Sequence, residues 1–232
     1  MRLLLLSNST NFGGGYLDHA AAAIADHFRG VRRIGFVPFA LLDQAGYTAR
    51  ARDRFRQLGL EVEKVQPDAA GRKVIESADG VFVGGGNTWR LLDRLQRAGL
   101  LDPLRDRVRG GMPYMGSSAG TGIAAPTIMT TNDMPIVRPD SFAALGLVRF
   151  QMNCHYLDPD PASPHMGETR ETRILEFLEE NDTPVVGLRE GSWLELNDTR
   201  RTLRGAAPAR LFRRGVEAFE LAPDTELPGW IL

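Results

Sequence analysis

The chain has 232 residues, enough for one domain with a substantial core, and its 43% hydrophobic and 25% charged content is that of an ordinary globular protein. A formal net charge of −1 offers no global field for nucleic acid or an acidic membrane surface, and the 28 basic residues, all arginine except Lys64 and Lys73, are matched by 29 acids. Cys154 is the single cysteine, which excludes an internal disulfide and a CxxC motif, and no apolar run approaches the length of a signal-peptide core or a membrane span, so a cytoplasmic location is expected.

Residues 3–6, four leucines, read as a buried strand, followed by a loop with three consecutive glycines at 13–15. Apolar residues recur at helical spacing over 16–28; residues 33–39 have strand character, 47–58 helical, and 60–65 strand again. Residues 81–83 form a short apolar strand ending in Gly84-Gly85-Gly86-Asn87-Thr88, with a helix over about 89–97. Residues 112–115 supply a strand that runs into Gly116-Ser117-Ser118-Ala119-Gly120, and the small residues of 119–125 begin a helix. Residues 126–141, with three prolines, read as a long ordered loop, and strand character returns over 147–153. The proline- and acid-rich stretch 158–161 reads as a flap, followed by a helix over about 168–180 and a strand over 184–188. Past Trp193, short segments broken at Asn197-Asp198, Gly205, Pro208 and Gly215 read as an antiparallel meander. The alternation predicts an α/β fold with a mostly parallel sheet flanked by helices on both faces. Residues 1–232 are read as a single domain, with 193–232 as a β extension packed on it.

In such sheets functional groups gather at the carboxyl ends of strands. Ser118 stands there, at the centre of a G-x-S-x-G pattern, where the serine occupies a cramped turn and the glycines keep other side chains away. A helix starting beneath it would point unpaired amides at an oxyanion. An ordinary glycine-rich strand–helix turn fits the same pattern, so the partners of the serine decide. Of four histidines, His19 and His27 fall in the first helical pattern and His165 in the flap. His155 directly follows a predicted strand, which makes it the best-placed base. Two acids compete to hold it: Asp133, in the loop between elbow and histidine, and Glu190, beyond the strand 184–188. Spacing alone does not separate them. Cys154 is adjacent to His155 on a strand and so points to the opposite face; it reads as a small buried hydrophobe. No HExxH, paired-histidine or clustered-carboxylate pattern is present, so neither a metal nor another cofactor is expected. Gly84–Thr88 lacks the G-x-G-x-x-G spacing and a P-loop lysine; its use is to bring a backbone amide close to a substrate carbonyl.

The stretches 3–10 (LLLLSNST), 83–88 (VGGGNT), 116–120 (GSSAG), 126–128 (PTI), 130–137 (TTNDMPIV), 167–171 (GETRE) and 190–193 (EGSW) occur in order, and together they resemble serine-peptidase family S51 nearly end to end. The resemblance implies a fold like that of class I glutamine amidotransferases, with serine in place of cysteine at the elbow. It implies hydrolysis of dipeptides, and some tripeptides, that begin with aspartate, by a monomer or homodimer with no nucleic-acid or membrane partner. Under it Ser118 is the nucleophile and His155 the base. Glu190 is favoured as third member, a role also assigned to Asp133, and the amides of Gly86 and Ala119 are the oxyanion donors. Preference for an acidic substrate requires a cation, and Arg170 fits because a guanidinium can pair both carboxylate oxygens; the alternative is a surface arginine paired with Glu168 or Glu171. Two departures from the family pattern are Ser117, where tryptophan is more frequent, and Asn153-Cys154, where asparagine-proline is usual. A cyanophycinase-like hydrolase of β-aspartyl dipeptides and a non-catalytic binder of acidic amino acids are the other readings.

Overall fold

Every side chain of the first strand, β1 (Leu3–Leu6), is buried, and the alternation of a strand sends them to two different layers. The computed structural model describes residues 1–160, 162 and 166–231. After β1 come α1 (Ala21–His27), β2 (Arg33–Val37), α2 (Gln44–Gln57), β3 (Glu61–Lys64), α3 (Ala69–Ser77), β4 (Gly80–Val83), α4 (Thr88–Arg97) and α5 (Leu101–Arg109). The elbow lies between β5 (Tyr114–Ser117) and α6 (Ala119–Gly122). The remainder is β6 (Gln151–Cys154), α7 (Arg170–Glu180), β7 (Val185–Leu188), β8 (Ser192–Leu196), β9 (Arg201–Gly205), β10 (Ala209–Arg213) and β11 (Val216–Leu221).

The main sheet has the order β3-β2-β4-β5-β1-β8-β9, parallel from β3 to β1 and antiparallel beyond it. Leu3 and Leu5 pack with Ile75 of α3, Leu91 and Leu95 of α4 and Leu104 of α5 on one face. Leu4 and Leu6 pack with Ile24 of α1 and with Tyr47 and Phe55 of α2 on the other. Helices therefore cover both faces, as the alternating pattern predicts. Each fully buried leucine contributes roughly 2 kcal/mol to that sandwich.

Several expectations need correction. The strands of 147–153 and 184–188 do not extend the main sheet. The first is shorter than expected, and as β6 it pairs in parallel with β7 in a second sheet of order β11-β10-β7-β6. The free edge of β1 is taken by β8, which leaves a three-residue turn after β7 and runs antiparallel, so β7 and β8 are consecutive yet belong to different sheets. The tail is antiparallel as read but divided: β8 and β9 complete the main sheet, β10 and β11 the second. Helices α3 and α5 lie in stretches read without helices. Asp68 caps α3 by accepting from the amides of Ala70 and Gly71 (2.8 and 3.1 Å), and Pro103 sits in the first turn of α5, where a missing N–H costs nothing. No helix among the described residues is long and apolar enough to cross a membrane.

Candidate active site

The elbow is a packing requirement before it is a chemical one. A Cβ on Gly120 would lie 2.0 Å from the carbonyl oxygen of Val83, and one on Gly116 would lie 2.6 Å from the Gly120 backbone. Strand β5 thus passes into α6 with no room for side chains, and the turn forces Ser118 to φ 51°, ψ −110°. Such a backbone costs on the order of 1–3 kcal/mol and persists because its surroundings fix it. They do so here through the Ser118 amide, which donates to Leu6 O at 3.0 Å, and through Thr121 Oγ1, which donates to the same oxygen at 2.7 Å.

His155 arrives from the other sheet. It follows β6 in a left-handed turn, at φ 55°, and its ring comes to lie against the elbow. Its Nε2 lies 2.9 Å from Ser118 Oγ, and its Nδ1 lies 2.6 Å from Glu190 Oε1. With Nδ1–H donating to the carboxylate, Nε2 is left as the acceptor for the serine hydroxyl proton, which is the tautomer a general base needs. Glu190 stands in the turn between β7 and β8 and is more than half exposed.

Asp133 does not reach the imidazole. Its Oδ2 accepts from Thr88 N (2.7 Å), Thr88 Oγ1 (2.6 Å) and Thr131 Oγ1 (3.2 Å), and its carbonyl accepts from Trp89 Nε1 (3.0 Å). It neutralises the first turn of α4, where amides lack partners and the helix dipole favours an anion. It still faces the pocket in front of Ser118, together with Thr88, Thr127, Thr131 and Asn132.

The glycine run lies where a substrate carbonyl would meet the elbow. A Cβ on Gly85 would sit 3.0 Å from Ser118 Cβ, so the run touches the serine. The Gly84 amide donates to Val37 O (3.1 Å) and the Gly85 amide to Tyr47 Oη (2.8 Å). Among the described residues the amides of Gly86, at φ 131°, and Ala119 have no acceptor within the protein.

Arg170 opens α7, whose cap is Thr169. Its side chain is half-buried, its Nη1 is enclosed, and among the described residues it has no partner. Burial pushes its pKa down and Arg173 adds to this, while the charges of Glu190 and Asp133 offset part of the shift. The pairings expected of a surface arginine go elsewhere: Glu168 meets Arg173 at 3.5 Å, and Glu171 meets Tyr156 and Arg210. Arg170 and Asn132 line a groove beside the Ser118 pocket, and Asn132 lines both.

The remaining expectations are quickly placed. His19 and His27 belong to the α1 layer, His27 packed on Phe28 and held by burial down to about 4. His165 and Pro161 of the expected flap lie outside the described residues. Cys154 is half-buried and lines the same pocket as His155, unlike the buried, opposite-facing residue expected; its thiol donates to Ser118 O at 3.5 Å, and its surroundings push the thiol well above its ordinary value. Iodoacetamide at pH 8 is therefore expected to leave Cys154 unmodified and activity unchanged; rapid carbamidomethylation seen by mass spectrometry would contradict this. Ser117, the other departure, is fully buried, and its hydroxyl has no partner among the described residues. Among the described residues no three His, Cys, Asp or Glu side chains converge as metal ligands.

Two residues given no role in the sequence reading tie the site together. Ser7 Oγ donates to Leu188 O (2.7 Å) and accepts from the His155 amide (2.9 Å). Asn8 Oδ1 accepts from the Gly191 amide (2.9 Å), fixing the turn that carries Glu190. Both are buried. Their signal was two polar residues immediately past a strand of four leucines, at the carboxyl edge of the sheet.

Comparison with known proteins gives three kinds of match. The model of Peptidase family S51 matches residues 3–204. Peptidase E of Streptomyces coelicolor is 56% identical over 227 residues, covering 98% of this chain and 93% of that protein. A Drosophila melanogaster protein described as a probable alpha-aspartyl dipeptidase is 45% identical over 228 residues, covering 97% of this chain and 95% of its own. The crystal structure of a peptidase from an acI-B1 Actinobacterium superposes with a TM-score of 0.74 at 16% identity, over 97% of this chain and 95% of that one, which is a likeness of fold.

Proposed function

The chain belongs to peptidase family S51, and from that membership we propose that it cleaves dipeptides with an N-terminal aspartate through an acyl-enzyme on Ser118. The observation that carries this reading is the unbroken relay Ser118 Oγ, His155, Glu190, with contacts of 2.9 and 2.6 Å. His155 takes the hydroxyl proton as Ser118 attacks the carbonyl of the aspartyl residue, and Glu190 stabilises the imidazolium. The oxyanion falls between the free amides of Gly86 and Ala119, a pair in which losing one donor typically costs about 3 kcal/mol of barrier. His155 then protonates the departing amine, and water releases aspartate. Arg170 supplies the cation for the aspartyl carboxylate, its enclosed Nη1, unpartnered among the described residues, being the supporting observation. All of these groups come from one chain, so the reading requires no second subunit, and a cytoplasmic enzyme acting on small peptides suits it.

The test is a substrate panel of α-Asp-Leu, β-Asp-Arg and Asn-Leu. Turnover of α-Asp-Leu is expected to dominate, and Arg170→Met to cut the preference for Asp-Leu over Asn-Leu by about 10²-fold, the scale of a buried charge pair left unpaired. Faster release from β-Asp-Arg would replace this reading with a β-aspartyl hydrolase. Binding of aspartate with no turnover of any dipeptide would make the protein a binder.

A further inference from the structure

A chain of charges runs behind the pocket through side chains that do not line it. At its centre is Arg189, which is 15% exposed and uses every N–H of its guanidinium. Nε and Nη2 donate to the two oxygens of Asp158 (2.8 and 2.6 Å), Nη1 and Nη2 to the two oxygens of Glu220 (2.8 and 2.9 Å), and Nη1 also to Pro208 O (2.8 Å). The guanidinium lies 5.2 Å from the centre of the Tyr156 ring. Arg210 continues the chain from Glu220 Oε1 (3.4 Å) to Glu171 Oε1 (3.5 Å), and Glu171 Oε2 accepts from Tyr156 Oη (3.0 Å). The ring of Tyr156 rests on Gly187, where a Cβ would lie 2.7 Å from it.

The positions of these residues carry the inference. Tyr156 follows His155, Glu171 follows Arg170, and Arg189 precedes Glu190. Each group assigned to chemistry or recognition on the second sheet and α7 is therefore one residue away from a member of a single network. Of its other members, Asp158 lines the groove that holds Arg170, while Arg210 and Glu220 come from β10 and β11, which contribute nothing to the Ser118 pocket.

We propose that this network is a positioning layer: Arg189 sets the turn that presents Glu190 to His155, and Arg210, acting through Glu171, sets the first turn of α7 and hence the reach of Arg170. The inference rests on the roles given above to His155, Glu190 and Arg170. The C-terminal hairpin then acts on catalysis without touching substrate, because a misplacement of about 1 Å at a reacting group is enough to cost up to about 10²-fold in rate.

The two arms of the layer predict different kinetic signatures. Arg189→Lys keeps the charge but cannot serve both Asp158 and Glu220. It is expected to lower kcat for α-Asp-Leu about tenfold with KM little changed, and to slow labelling of Ser118 by a small fluorophosphonate equally. That reagent needs the serine and its base but carries no carboxylate for Arg170. Arg210→Met is expected to raise KM about tenfold while labelling stays at the wild-type rate. Glu220→Gln, a milder change touching both arms, is expected to show both effects at about threefold and guards against a misfolded Arg189 variant. Parallel losses in kcat, KM and labelling that track melting temperature would reduce the network to a structural one, and wild-type kinetics in all three variants would remove it. A wild type inert to every Asp dipeptide would defeat the functional reading alone, since the labelling rates of Arg189→Lys and Glu220→Gln still decide the Arg189 arm of the layer.

Discussion

Ser118→Ala and His155→Ala are each expected to lower kcat for α-Asp-Leu by about 10⁴- to 10⁶-fold, and the double variant to be no slower than the worse single one. The reason is that hydroxyl and imidazole act as one unit. Once the 2.9 Å contact is broken from either side, the remaining partner has nothing to do. What is expected to survive is binding plus the oxyanion stabilisation proposed for the amides of Gly86 and Ala119, which the substitutions leave in place. Neither change should disturb the fold. The Ser118 turn is held by its backbone amide and by Thr121, and the His155 turn by Ser7 accepting from its amide. Burst and steady-state kinetics with circular dichroism on the same samples check this. Strict multiplication of the two single losses would mean that the residues act independently, which the relay forbids.

Glu190→Gln and Asp133→Asn are expected to separate cleanly. A glutamine amide facing Nδ1 can donate rather than accept, which stabilises the wrong tautomer; a loss of about 10³-fold in kcat is expected, tempered by the exposure of Glu190 to water. In Asp133→Asn the new amide keeps one acceptor oxygen for Thr88. That substitution would cost on the order of 1 kcal/mol through the weakened start of α4 and less than about tenfold in kcat. Steady-state kinetics and thermal melting of the two variants together give the answer. The reverse ranking would show that Asp133 swings onto His155 once substrate is bound.

The legible parts of the sequence were those governed by local chemistry. The run of leucines at 3–6 reads as a buried strand, and the glycines at 116 and 120 fit a turn too tight for side chains, a reading the 2.0 Å approach to Val83 O explains. Helices α3 and α5 escaped notice because their signals are a single Asp cap and a proline in the first turn, both of which read equally well as loop punctuation. Asp133 and Glu190 could not be ranked by spacing, which carries no information on which carboxylate points at the ring; only the family resemblance favoured Glu190.

By itself the sequence determined the alternating α/β order, a glycine-flanked serine at a strand–helix junction and a short list of groups able to serve it, since each depends on residues within a few positions of one another. Tertiary structure alone decided that Ser118 follows a strand of the main sheet and His155 a strand of the second, with Glu190 in the turn that joins the two sheets. It also decided that Ser7 and Asn8 bind the sheets together, and that Asp133 is spent on the start of α4. Those outcomes rest on contacts between residues as far apart as Ser7 and Leu188. Such contacts are set by which strand takes the free edge of β1, a competition among distant segments that no local pattern records.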